Sequence, residues 1–143
     1  MTSTWRVLYH NQEAADEVAS LYSSESRKYD EDRDHEVWRI LNMLAACTDP
    51  RRPGKQSNLL VTEIHSMSGW YRMKISRYAA RVLFCLTVIR GERMIFLPDP
   101  ELPLDDEQGV ILITGAGRHV DTGGVYGPHM RERYKQTVAA QIL

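Results

Sequence analysis

Cysteine is scarce in this sequence, and the two cysteines present are far apart. Cys47 and Cys85 have no neighbours at the spacing of metal ligands. Isolated cysteines of this kind are typical of small apolar core residues in a reducing compartment. We therefore expect a cytoplasmic protein without a disulfide framework, a metal site or a cofactor.

Long apolar runs are missing as well. No stretch approaches the ~20 apolar residues that a membrane-spanning helix needs, and the first residues, MTSTWR, lack the basic and apolar regions of a signal peptide. A chain of 143 residues is long enough to bury a substantial core. We therefore expect one domain with no membrane partner.

A complete glycine-rich phosphate loop is also missing. Gly115 and Gly117 follow a predicted strand, as in a dinucleotide-binding motif, but Val120 stands where the third glycine would be. The residues that remain cannot supply a βαβ unit. A nucleotide cofactor is therefore not expected.

The whole chain has little net charge, but its parts differ strongly. The formal net charge is −1. Residues 51–93 carry nine Lys or Arg and two Asp or Glu, a balance of +7, and the remainder carries nine and seventeen, a balance of −8. Such segregation predicts a local cationic face, which is typical of proteins that bind nucleic acid.

The order of apolar patterns predicts an α+β fold. A short N-terminal strand is followed by a helix that Asn11 can cap, a turn at residues 30–34 and a second helix at residues 34–47. A final helix begins at Pro128. We expect the N-terminal strand and a helical hairpin to pack on a mostly antiparallel sheet of about four to five strands, with a C-terminal helix.

Extended segments fill the middle of the chain. They are residues 59–65, 71–75, 81–88, 94–97 and 110–114. A tight turn is expected at Gly91 and Glu92, and the proline-rich, acidic residues 98–109 are expected to form a loop.

A basic β-hairpin dominates this pattern. Arg72 and Lys74 are two residues apart on one predicted strand, so they share a face, and Arg81 opens the next strand beside them. Three cations that repel one another favour a bound anion, above all a phosphate. Basic residues on the solvent side of a sheet also prevent edge aggregation, so a structural explanation stays open.

The hairpin sequence WYRMKI at residues 70–75, followed by RVLF at residues 81–84, resembles the central hairpin of the RelE/ParE toxin superfamily. It is most similar to the RelE-type mRNA interferases of type II toxin–antitoxin systems. The shared pattern is an aromatic, two basic residues separated by an apolar one, a short turn, and an Arg that begins an apolar strand. The resemblance implies one RelE-like toxin domain over residues 1–143, with residues 98–109 as an insertion.

The resemblance further implies a metal-independent endoribonuclease that cleaves mRNA, on the ribosome, by attack of the ribose 2′-OH on the adjacent phosphate. The implied catalytic residues are Lys74, Arg81, Arg118 and Tyr126. The implied substrate-binding residues are Arg72, Arg77, His119 and Arg131. Lys74 is assigned as the base, because neighbouring cations disfavour its protonated form and a guanidinium stays protonated.

Two pairs of residues in the C-terminal part of the chain fit the remaining catalytic roles, and we call them the two C-terminal solutions. Arg118 and Tyr126 follow the last predicted strand, but at a wider spacing than in the family. Arg131 and Tyr134, on the final helix, fit the same roles.

The implied partners are a cognate antitoxin protein and RNA, in the form of mRNA in the ribosomal A site. Three alternatives stay open: a ParE-like gyrase inhibitor, a catalytically inactive RNA- or protein-binding relative, and a ribosome-independent RNase. The near-neutral net charge and the acidic insertion differ from the generally basic ribosome-dependent toxins.

Overall fold

A computed structural model describes residues 5–20, 31–54, 59–75, 80–97, 102–103, 107–118 and 128–139. The strands are β1 (Arg6–Tyr9), β2 (Leu60–Glu63), β3 (Trp70–Ile75), β4 (Ala80–Arg90), β5 (Arg93–Phe96) and β6 (Gln108–Arg118). The helices are α1 (Gln12–Ser20), α2 (Glu31–Ala45) and α3 (Pro128–Ala139). The predicted α+β class is confirmed.

The strands form one open, mostly antiparallel sheet. Its order is β1-β6-β4-β3-β2, and β5 pairs with the C-terminal half of β4. Only the β1–β6 pair is parallel among the pairs that the structure describes. The sheet has six strands, so the expected four to five was too low, although extended segments had been predicted at residues 59–65 and 94–97, where the short strands β2 and β5 lie.

The helical pair covers the side of the sheet that we call the first face. Its β3 residues are Tyr71, Met73 and Ile75, which are buried as the alternation predicted. Val18 of α1 and Leu41 of α2 belong to the same apolar core. The two N-terminal helices therefore share one layer.

Helix α3 packs on the opposite side, which we call the second face. Met130 is fully buried in a core that includes Trp70, Leu83 and Cys85. The Trp70 indole Nε1 donates a hydrogen bond to Thr137 Oγ1 at 3.0 Å. The sheet is therefore covered by two helices on one face and one helix on part of the other.

The helix boundaries confirm some predictions and correct others. Asn11 caps α1, because its Oδ1 accepts a hydrogen bond from Ala14 N at 2.9 Å. The turn expected at residues 30–34 is wrong, since α2 begins at Glu31, and that helix ends at Ala45 rather than at Cys47. A run of charged residues without an apolar stripe resembles a polar turn in a sequence, which is why the start of α2 was missed.

Strand β6 is longer than the sequence indicated. It begins at Gln108, inside the loop expected at residues 98–109, and it continues through Gly115 and Gly117. A Cβ atom at Gly115 would lie 2.7 Å from the Met130 Sδ atom, so glycine lets α3 approach the strand. Gly115 therefore serves helix packing, and both glycines belong to the strand and do not form a loop after it.

Other predictions concern single positions. Gly91 has φ 64° in the tight turn between β4 and β5, as expected. Cys85 is fully buried and Cys47 half-buried; both thiols are free, and burial raises the pKa of each.

Within the described ranges, no helix is long and apolar enough to cross a bilayer.

Candidate functional site

Strand register brings the hairpin cations together. Lys74 lies directly opposite Arg81 in the antiparallel β3–β4 pair. Directly opposite residues of such a pair have Cβ atoms about 4.5–5.5 Å apart and point to the same side. Arg72 lies two residues before Lys74, on the same face. We refer to Arg72, Lys74 and Arg81 as the cationic cluster; its predicted common face is confirmed by the register.

The three cluster residues differ in exposure and support. Lys74 is exposed, whereas Arg72 and Arg81 are half-buried. Arg72 Nε donates a hydrogen bond to Thr62 Oγ1 of β2 at 2.8 Å. The guanidinium at position 72 is therefore oriented by the edge strand, while the amine at position 74 is open to a ligand.

Strand β6 presents glycines to the cluster. Gly117 lies opposite Arg81, and Gly115 lies opposite Leu83. A glycine has no side chain to cover its neighbour across the strands, so the backbone of β6 borders Arg81 on this side. A phosphate group can approach Arg81 closely over such a surface.

Helix α3 adds a tyrosine and an arginine beside this region. The Tyr134 hydroxyl donates a hydrogen bond to Ser68 O at 3.0 Å, and its ring meets Trp70 edge-on at a centroid distance of 5.5 Å. Burial raises the pKa of Tyr134, and the charge of Glu63 adds to this, against the hydrogen bond to Ser68. Arg131 is exposed and precedes Tyr134 by three residues, so it lies on the same side of α3.

The backbone of Arg118 lies on a different face of the sheet from the cationic cluster. It pairs in register with Ala80, which is buried in the core of the first face. Its neighbour Gly117 pairs with Arg81 of the cationic cluster. Because successive strand residues alternate, the backbone position of Arg118 belongs to the first face.

The arginines of the two C-terminal solutions lie on different elements, Arg118 on β6 and Arg131 on α3. Arg131 and Tyr134 lie on the helix that covers the cluster's face, whereas Arg118 does not share that face. Arg77, His119 and Tyr126 lie outside the described residues, so their predicted roles stay predictions.

The cationic segment of the sequence does not form one surface. Arg51 is buried, with its Nε 2.9 Å from Asp49 Oδ1, and Arg90 is paired with Glu107, which lies outside the +7 segment. Burial opposes ionisation of Asp49, but the hydrogen bonds and charge of Arg51, with the charge of Arg52, outweigh it and lower the pKa of Asp49. The cationic face is consequently smaller than the charge count suggested.

One buried ion network was not predicted from the sequence. Arg133 donates to both carboxylate oxygens of Glu17 at 2.9 and 2.8 Å, to Glu13 Oε2 at 3.0 Å and to Thr114 O at 2.8 Å. The hydrogen bond with Glu17 raises the pKa of Arg133 against the effect of burial, and Glu13 raises it further. The i, i+4 spacing of the two glutamates was the only sequence signal, and their partner lies 116 residues beyond Glu17.

The Arg133 network fixes α3 over the sheet. Glu17 Oε1 also accepts a hydrogen bond from Ala116 N at 3.2 Å, where β6 extends beyond its pairing with β1. One carboxylate thus joins α1, β6 and α3. The position of α3, and with it the positions of Arg131 and Tyr134, depends on this contact.

Comparison with known proteins gave no relatives. No protein-family model, no curated protein and no solved structure matches the chain. Among the residues that the structure describes, no group of three or more His, Cys, Asp or Glu side chains is arranged to hold a metal ion. Function is therefore inferred from the geometry of the cationic cluster and from the resemblance of its hairpin.

Proposed function

We propose that this chain is an endoribonuclease that acts as the toxin of a type II toxin–antitoxin system, with the cationic cluster as its active site. The observation that supports this most strongly is the direct pairing of Lys74 with Arg81, two residues from Arg72 on the same face. The resemblance of this hairpin to RelE-type mRNA interferases supplies the reaction and the partner. The partner is a cognate antitoxin, and the substrate is mRNA on the ribosome.

The proposed reaction uses the difference between an amine and a guanidinium. Lys74 is assigned as the group that accepts the proton of the ribose 2′-OH, because an amine can act as a base and a guanidinium cannot. Arg81 stabilises the negative charge of the pentavalent phosphorane. Arg72, held by Thr62, binds a phosphate oxygen.

The leaving-group side is assigned to α3 in this proposal. Arg131, which is exposed on α3, is assigned to neutralise charge on the 5′-oxygen, and that oxygen takes its proton from solvent. Tyr134 already donates its hydroxyl proton to Ser68 O, so it serves better as a positioning residue than as an acid. Its aromatic ring is assigned to stacking on a base.

The direct test is to identify the ends of the RNA products. Attack by the 2′-OH leaves a 2′,3′-cyclic phosphate and a 5′-hydroxyl, and it proceeds in the presence of EDTA. We expect these ends when the purified protein is incubated with mRNA and translating ribosomes. Products with 5′-phosphate ends, or no cleavage with and without ribosomes, would contradict the proposal.

A second candidate is a binding module that has lost catalysis. The position of Arg118 on the first face favours it, because a toxin that needs Arg118 beside Lys74 would be incomplete. Such a module would bind RNA with a strong dependence on salt concentration and would not cleave it. The product analysis above separates the two candidates.

A further inference from the structure

A separate cavity of about 220 Å³ lies at the other end of the second face. It is open to solvent on one side and bordered by residues of strands β1, β4, β5 and β6 and of α3. Thr87 lines it from β4, six residues along the strand from Arg81. At about 3.3 Å per residue, the cavity is roughly 20 Å from the cationic cluster. It is therefore not part of the proposed active site.

The described walls of the cavity carry no lysine, arginine or carboxylate side chain. Met94, Phe96 and Leu112 supply apolar surface. An ion would lose its hydration there without gaining a partner of opposite charge. The ligand that suits these walls is neutral.

The hydrogen-bonding groups of the cavity are mostly committed to the protein. The Thr87 hydroxyl donates to Val110 O at 3.1 Å, and the Thr137 hydroxyl donates to Tyr134 O at 2.9 Å. His10 Nε2 lies 2.8 Å from Gln136 Oε1 and joins β1 to α3 across the cavity. With the Gln136 oxygen as the acceptor, the amide nitrogen keeps its donors for a ligand.

The size of the cavity limits the ligand further. An apolar cavity of about 150 Å³ holds one benzene molecule, so 220 Å³ accommodates one ring with a short substituent. We propose that this cavity binds a small neutral aromatic compound that carries one hydrogen-bond acceptor, with the Gln136 amide as donor. An aryl ketone is the simplest compound of this class.

Three probes of equal size and shape test the proposal. Acetophenone has the ring and the acceptor, α-methylstyrene replaces the carbonyl with a carbon–carbon double bond, and benzoate carries a charge. The reporter is the Trp70 indole N–H signal in ¹H–¹⁵N spectra, since its acceptor Thr137 lines the cavity. The indole signal of the exposed Trp38 is the internal control.

We expect acetophenone to shift the Trp70 signal saturably, α-methylstyrene to bind several-fold more weakly, and benzoate to give no saturable shift. Gln136→Met should weaken acetophenone about three- to tenfold, the scale of one hydrogen bond, and leave α-methylstyrene unchanged. No saturable shift with acetophenone, or equal binding of benzoate, would overturn the proposal.

Two variants that fill the cavity give an independent check. Leu112→Phe should reduce acetophenone affinity at least tenfold by occupying the space. Met94→Phe, on the half-buried strand β5, should do the same and disturbs the core less. Lys74→Ala should bind acetophenone as the wild type does. Undiminished binding by a folded Met94→Phe variant would place the ligand elsewhere and contradict the inference.

Discussion

Lysine and arginine at position 74 would both hold a phosphate by their charge, but only an amine can exchange a proton in the reaction, because a guanidinium stays protonated. We therefore expect Lys74→Arg to keep RNA affinity and to lose most of its cleavage rate. Arg81→Ala should lower the rate by about 10²-fold, the scale for removing one transition-state donor. Arg72→Lys keeps the charge and should lose only a few-fold, through the contact with Thr62. Single-turnover cleavage and equilibrium RNA binding measure the two effects separately.

Thermal stability is measured for each variant of this series as the control. Lys74 is exposed, so its replacement by arginine should leave thermal unfolding unchanged, whereas the half-buried Arg81 must be tested for folding first. If Lys74→Arg cleaves RNA as fast as the wild type, Lys74 is not the proton acceptor. The cluster would then be a binding surface.

Arg133 shows which residues escape sequence-based reasoning. Its oxygen acceptors on Glu13, Glu17 and Thr114 are distant along the chain and become neighbours only when α3 lies on the sheet. The cluster residues Lys74 and Arg81, by contrast, are close in the sequence, and alternation fixes their face. Local periodicity therefore predicted the cationic cluster. The Arg133 network could be found only from the tertiary structure.

The ion pair of Asp49 with Arg51, just after the end of α2, is sensitive to pH. The pKa of Asp49 is lower in the folded protein than in the unfolded chain, so its contribution to stability is complete above about pH 4 and is lost as pH falls through the folded pKa. Asp49→Asn should therefore be less stable than the wild type at pH 7, by under about 1 kcal/mol because the carboxylate is partly exposed. The difference should shrink when urea unfolding is repeated at decreasing pH down to about 2. A difference that persists at that pH would assign the effect to lost packing.

Strand β6 and helix α3 meet at Gly115. Adding a methyl group there brings it within 2.7 Å of Met130 Sδ and 2.9 Å of Glu17 Oε1. We expect Gly115→Ala to lower the free energy of unfolding by about 1–3 kcal/mol, as overpacking does. Gly54→Ala, where nothing lies within 4 Å, is the matched control and should be neutral. Denaturant unfolding measures both.

A compensating variant decides the cause of the Gly115 effect. Met130→Val shortens the opposing side chain, so the Gly115→Ala and Met130→Val changes together should cost less than the sum of their separate effects. Strict additivity would attribute the loss to the strand backbone. The same contact explains why the sequence predicted that the strand ends before Gly115. Glycine weakens a strand intrinsically, and its role at this position depends on the packing of α3.

For the molecule as a whole, the proposed function predicts the order in which cellular processes fail. Expression without a partner should stop translation first, since the cationic cluster is proposed to cleave mRNA. Pulse labelling with an amino acid and with thymidine measures this order. Arrest of DNA synthesis while translation continues would favour a ParE-like gyrase inhibitor. The Arg81→Ala variant, expressed at the same level, is the control and should permit growth.

The topology has a consequence for synthesis of the chain. Strand β4 pairs with β3 on one side, but its other long partner is β6, and β1 also waits for β6 to pair. Residues 108–118 must therefore leave the ribosome before the central sheet can close, and α3 must follow before the second face is covered. A growing polypeptide cannot hold Arg81 against the β6 backbone until that moment. Under the proposed function, a nascent chain would therefore be inactive until residues 108–139 had been synthesised.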